Sequence, residues 1–357
     1  TKLGPCQGLR QLIQYVVSVL HADQYHQDER LKGNPMQLAE IDSFSPLRSE
    51  PPDFDAFWSN TREQLLEIDP EPTLARQKPP AAGLIYDLLT YRSFGNVSIS
   101  GYLLTHDVPE PRPLIVHSHG YNSQYDVMLN WANSGCNILG IDFRGFGRSQ
   151  HLDMALGGYV LTGIGSASTS ILRCAAMDLV QALRTARLLL GSRLAATTLY
   201  GFSFGGAMAL MAAALDTELD FMVVGQPTFG WHNERLRLSR AGSSAELNRY
   251  LGCKPGERGD VMQTLNYFDT MHTAARIKTP VMVGIGLDDD VVPSRSVMAV
   301  TNHLAAPQIE VRILPVSHSD DPRESLWAAF DDEWIEMARH GIPENFGASD
   351  RRVASLT

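Results

Sequence analysis

Ser203 sits in Gly201-Phe202-Ser203-Phe204-Gly205, a small-x-Ser-x-small pentapeptide. An apolar run, ATTLY, precedes it, and a run of small residues and methionines, GAMALMAAAL, follows. Strand, sharp turn and helix is the context in which a serine hydroxyl is lifted above a sheet as a nucleophile. Gly201 and Gly205 keep side chains out of the close strand-to-helix crossing. The helix turns its first N–H groups toward charge developing at the serine. Read alone, the pentapeptide fits a packing corner equally well, so the rest of the chain decides.

A serine hydroxyl needs a base, and the base needs an acid. His232, His272, His303, His318 and His340 follow Ser203. His303 falls in a helical stretch and His340 at a helix end. His318 falls in the loop Val316-Ser317-His318-Ser319, just after the apolar run IEVRILP, where a base can stand above strand ends. The loop after PVMVGIG offers Asp288, Asp289 and Asp290. The spacing D-x-x-x-P to Pro293 selects Asp289 and leaves its two neighbours to solvent. The oxyanion hole needs two N–H donors. Phe204, next to the nucleophile, supplies one. Tyr121, in His117-Ser118-His119-Gly120-Tyr121-Asn122, supplies the other. His117 and His119 alternate as strand residues sharing a face would, which raises zinc. No carboxylate or cysteine completes such a set, so no metal is expected.

These groups must be held by particular elements. PLIVHS (113–118), CNILGID (136–142), ATTLYG (196–201), FMVVG (221–225), PVMVGIG (280–286) and IEVRILP (309–315) read as apolar strands. Helices are expected near 172–190, 205–214, 295–304 and 323–339. Continuous apolar strands separated by helices make a parallel sheet covered on both faces. Before them, Leu84–Phe94 and Val97–Thr105 flank Gly95-Asn96 and read as an antiparallel hairpin. Residues 53–67 read as a helix with Phe54, Phe57, Trp58, Leu65 and Leu66 on one face. Antiparallel strands followed by a parallel run, with serine, acid and histidine in that order, define an α/β-hydrolase fold. Residues 1–50 are read as an extension with one helix at 11–20, residues 51–345 as the hydrolase domain, and 346–357 as a tail.

The chain has 357 residues, a net charge of −10 and no Lys/Arg block, which argues against a nucleic-acid partner. Residues 11–20 are too short to span a bilayer. Cys6, Cys136, Cys174 and Cys253 show no paired spacing and read as buried free thiols of a reducing compartment. The residues alone leave open an ester, amide, lactone, thioester or C–C bond as the target, and a silent binding protein as a rival.

The chain resembles the acetyl xylan esterase and cephalosporin C deacetylase family, carbohydrate esterase family 7. The matching stretches are PPDFDAFW (51–58), VHSHGYN (116–122), DFRGFGRS (142–149), GYVLTGI (158–164), GFSFGG (201–206), TLNYFDTMHTAARIKTPV (264–281) and GLDDDVVP (286–293), with the loop around His318. The resemblance covers roughly residues 37–340. It implies Ser203, Asp289 and His318 as a triad and the Tyr121 and Phe204 amides as the oxyanion hole. It further implies a short-acyl ester substrate on a sugar or other small molecule, no cofactor, a cytoplasmic setting and a homo-oligomer. Phe202 and Phe204 stand where the family has Gly and Gln. Residues 165–173 lack the family's tyrosines, and Ser319 replaces a common Glu. Tyr121, Phe202, Phe204 and Pro227 are therefore expected to line the substrate pocket and to alter its specificity.

Overall fold

The structure is a computed structural model that describes residues 44–150, 154–155, 157–317, 320, 326–348 and 352–353. The helix expected at 11–20 lies outside these residues. Ten strands form one sheet: β1 (Thr73–Gln77), β2 (Leu84–Ser93), β3 (Val97–His106), β4 (Arg112–Ser118), β5 (Asn137–Ile141), β6 (Leu194–Phe202), β7 (Phe221–Gly225), β8 (Val281–Gly286), β9 (Ile309–Leu314) and β10 (Arg352–Val353). Their order is β1-β2-β3-β5-β4-β6-β7-β8-β9-β10. The pairs from β1 to β3, and β3 with β5, are antiparallel; from β5 through β10 every pair is parallel. This is the α/β-hydrolase fold expected from the order of the apolar runs. The turn joining β2 and β3 has Gly95 at φ 70° and Asn96 at φ 59°, left-handed angles those two residues tolerate.

The helices are α1 (Phe54–Leu66), α2 (Leu129–Asn133), α3 (Ile171–Leu190), α4 (Phe204–Ala213), α5 (His232–Leu238), α6 (Gly242–Cys253), α7 (Arg258–Asn266), α8 (Thr270–Ala274), α9 (Ser294–Thr301) and α10 (Leu326–His340). Strand parity assigns side chains to two cores. Leu114, Val116, Leu199, Met222 and Val224 face the core built with α3, α4 and α9. Ile115, Tyr200, Phe221, Val223 and Met282 face the other, where α2 and α10 bring Trp131, Trp327, Phe330 and Trp334. Tyr200 stacks on Trp334 at 4.7 Å, and Trp131 meets Trp334 at 5.0 Å. All residues of α4 are buried, because α3 covers the side that the sheet does not.

Several expectations change. In α1, Phe54, Trp58 and Leu65 are buried but Leu66 is 43% exposed, since it lies off the stripe the others define. The short β1, and the helices α5 to α8 between β7 and β8, extend the expected set. Residues 346–348 and 352–353 are more than a tail. Phe346 is buried against Phe221, and Arg352–Val353 pair with β9. Residues 44–50 likewise pack on the domain, with Phe44 against Trp231 and Glu50 bonded to Arg276. Among the described thiols, Cys136 is buried, Cys174 half-buried and Cys253 exposed, so the expectation of uniform burial fails at Cys253; Cys6 lies outside the described residues.

Candidate active site

Ser203 joins β6 to α4 at φ 54° and ψ −114°, backbone angles that an L-residue holds only under constraint. The constraint is visible. Its N–H donates to the Gly225 carbonyl at 2.9 Å, and its own carbonyl accepts from Thr228 N at 3.1 Å and Ala207 N at 3.0 Å. A Cβ on Gly201 would overlap the Gly205 carbonyl, so the strand and helix cross there only because position 201 is glycine. Gly205 serves a different approach from the one expected. Its Cβ would stand 3.0 Å from the Ser118 carbonyl and 3.1 Å from that of His119, at the end of β4. Gly206 makes room for Pro227.

That contact puts the segment after β4 beside the first turn of α4. His119 fixes the segment. Its Nδ1–H donates to the Gly120 carbonyl at 2.7 Å, and its Nε2 accepts from Phe143 N at 3.0 Å. Asn122 turns the chain at φ 54°. Among the described residues the Tyr121 N–H donates to no acceptor. Phe204 is the first residue of α4, so its N–H has no partner within the helix. Among the described residues, two amide donors without an acceptor thus lie on the two segments that flank Ser203.

His117 and His119 do not share a face. His117 packs on Trp131 and shares a hydrogen bond with the Tyr102 hydroxyl at 2.7 Å, while His119 packs on Phe143 and Phe146 in the other core. The strand ends at Ser118, so the alternation stops before His119. Burial lowers the pKa of both rings, that of His117 to about 3, so both are neutral structural groups.

In the loop after β8, Asp289 is buried, whereas Asp288 and Asp290 are exposed. Its Oδ1 accepts from Val291 N at 2.9 Å and Val292 N at 2.7 Å. Sequence reasoning missed the residue that holds this loop. Gln226, fully buried at φ 42° after β7, donates to the Gly286 and Val292 carbonyls and accepts from Gly286 N. A lone polar residue after the all-apolar FMVVG was its signal. His318 lies outside the described residues. The chain leading to it is tied to the acid loop: Leu287 N donates to the Leu314 carbonyl and Asp288 N to that of Val316. Ser317 accepts from Trp327 Nε1 at 3.2 Å. The loops carrying 289 and 318 therefore leave adjacent strand ends together.

Residues 32–328 match the model of the acetyl xylan esterase family. The chain belongs to that family. Over 117 residues it is 32% identical to an acetyl esterase of Xylanibacter ruminicola, a stretch covering 33% of this chain and 26% of that protein. The match thus spans about a quarter of that relative's length. An acetyl xylan esterase from Paenibacillus sp. R4 superimposes with a TM-score of 0.76 at 25% identity, covering 84% of this chain and 99% of its own. Acetyl xylan esterase 1 from Thermoanaerobacterium sp. JW/SL YS485 gives 0.75 at 21% identity, with 85% and 99% covered, a likeness of fold.

Within this acetyl xylan esterase family member, the expected pocket residues separate. The Phe204 ring is fully buried among Tyr121, Phe143, Phe146, Tyr159 and Phe229. The expectation that its side chain lines the pocket is corrected: the ring belongs to the core. Phe202 points to the opposite core, edge-on to Trp327 at 4.9 Å, where it braces the segment ahead of His318. Pro227 is buried against Gly206. Tyr121 is half-buried, and its hydroxyl donates to Glu246 Oε2 at 2.5 Å.

Proposed function

We propose that the protein is a serine carboxylic-ester hydrolase that removes short acyl groups, acetyl foremost, from a sugar or other small molecule. The observation that carries this reading is Ser203 at its left-handed turn between β6 and α4, flanked by two free amides. In the mechanism His318 takes the Ser203 proton as Oγ attacks the ester carbonyl. The Tyr121 and Phe204 amides hold the tetrahedral oxyanion. His318 then protonates the departing alcohol, and water repeats the sequence on the acyl-enzyme. Asp289 orients the imidazole through Oδ2, since Oδ1 is engaged by its own loop. Family membership supports the acyl chemistry. Among the described residues no helix is long and apolar enough to cross a membrane. We place the protein in the cytoplasm, on the ground that Cys136, Cys174 and Cys253 are free thiols. A homo-oligomer is proposed from the family resemblance alone.

The test is turnover of p-nitrophenyl esters from acetate to octanoate by wild type and Ser203→Ala. Wild type should favour acetate, and Ser203→Ala should lose on the order of 10⁶ in kcat. Equal hydrolysis by both would overturn the nucleophile. Preference for octanoate would overturn the short-acyl reading.

A further inference from the structure

We propose that Glu246, on α6, is a positioning residue for the oxyanion hole, acting through the hydroxyl of Tyr121. This rests on the reading of the Tyr121 N–H as an oxyanion donor. The residue is held at both ends. On the backbone side, His119 ties the Gly120 carbonyl to Phe143. On the side-chain side, the hydroxyl donates to Glu246 Oε2 and accepts from Val160 N at 2.9 Å. The ring between them sits edge-on to Phe146, Tyr159 and Phe204. Tyr121 is thus a strut running from the oxyanion loop to α6, and it rests on the ring of the other donor residue.

The far anchor is built to be rigid. Leu247 and Leu251 bury α6 in the core. Ser243 and Ser244 accept from Arg235, whose guanidinium lies 4.9 Å over Phe229. Phe229 in turn packs on Phe204. Gly158 leaves the space the carboxylate fills, because a Cβ there would overlap Glu246. Burial raises the Glu246 pKa, so the carboxylate sits there at some cost, with the Tyr121 hydroxyl donating to it.

An oxyanion donor acts only when aimed at the developing charge within hydrogen-bond reach. Without its acceptor, the Tyr121 hydroxyl would re-orient toward water and carry the backbone with it. The ground-state ester needs the donor less than the tetrahedral species does, so the loss should fall on kcat.

The experiment measures kcat and KM on p-nitrophenyl acetate, inhibition by a short alkyl boronic acid, and thermal midpoints for Glu246→Ala, Glu246→Gln, Tyr121→Phe and the Tyr121→Phe/Glu246→Ala double variant. We expect Glu246→Ala and Tyr121→Phe each to lower kcat by about 10- to 100-fold with KM within about twofold, and to weaken boronate inhibition in parallel. The double variant should lose no more than Tyr121→Phe alone, because that single substitution already breaks the bond to Glu246. Glu246→Gln keeps an acceptor oxygen and should recover most of the turnover. A folded Glu246→Ala with wild-type kcat, losses that multiply in the double variant, or a loss confined to KM would each overturn the proposal. Should Glu246→Ala fail to fold, Glu246→Gln and Tyr121→Phe still decide it: a Glu246→Gln as impaired as Tyr121→Phe counts against it. Fluorophosphonate labelling of Ser203 separates the two readings. Absence of label on wild type sinks the serine-hydrolase reading, while labelled enzyme indifferent to Glu246 sinks this inference alone.

Discussion

At the scale of single residues, the site depends on groups whose role shows in what surrounds them. Ser203 was legible because its needs are local: two glycines, a strand before and a helix after. Asp289 was legible because a proline four positions on fixes which of three aspartates turns inward. Gln226 and Glu246 were not, since their partners lie tens of residues away, and the one local sign was a polar residue after FMVVG. The Phe204 side chain was misread, because sequence position does not say which way a residue at a turn points. Its ring is fully enclosed by aromatic neighbours. Phe204→Ala is therefore expected to cost about 3–5 kcal/mol of stability and to leave the acyl-length preference of the folded enzyme unchanged. Denaturant unfolding and the ester series check both halves, and a changed preference at unchanged stability would restore the ring to the pocket.

At the scale of elements, α10 carries a titration that couples it to β6. Asp331 accepts from Trp334 Nε1 at 2.8 Å and lies by Tyr200, three residues before Ser203. Burial pushes its pKa up to about 6 from the usual 3.8, with Asp332 adding to the rise. A carboxyl raised in the folded state stabilises the fold while it is protonated. Its contribution is complete below about pH 4 and fades as pH climbs through about 6. The loss should be on the order of 1–2 kcal/mol between pH 4.5 and 7.5. Thermal midpoints of wild type and Asp331→Asn over that range report it: the wild type should fall by more as pH rises. Parallel curves would contradict the assignment. The sequence marked α10 by its apolar period but gave no sign of this carboxyl, whose environment is made by the opposing strand.

At the scale of the molecule, the sheet is legible because strands buried on both faces must be apolar throughout, and the chain alternates them with helices. The segments it left blank, α5 to α8, are amphipathic pieces whose only organising signal is the surface they cover. Phe346 and β10 escaped notice because a single aromatic residue is no pattern until Phe221 is seen beneath it.

The helix α4, which presents no residue to water, has a consequence for how the enzyme fails on heating. A helix with a wet face can fray while the rest of a protein stays intact. This one cannot leave its place without parting the sheet from α3, so the turn at Ser203 has no private route to disorder. Catalysis and tryptophan fluorescence should then disappear in one transition, with midpoints within about 2 °C of each other. A catalyst that dies well before its fold would mean that the weak part lies outside α4.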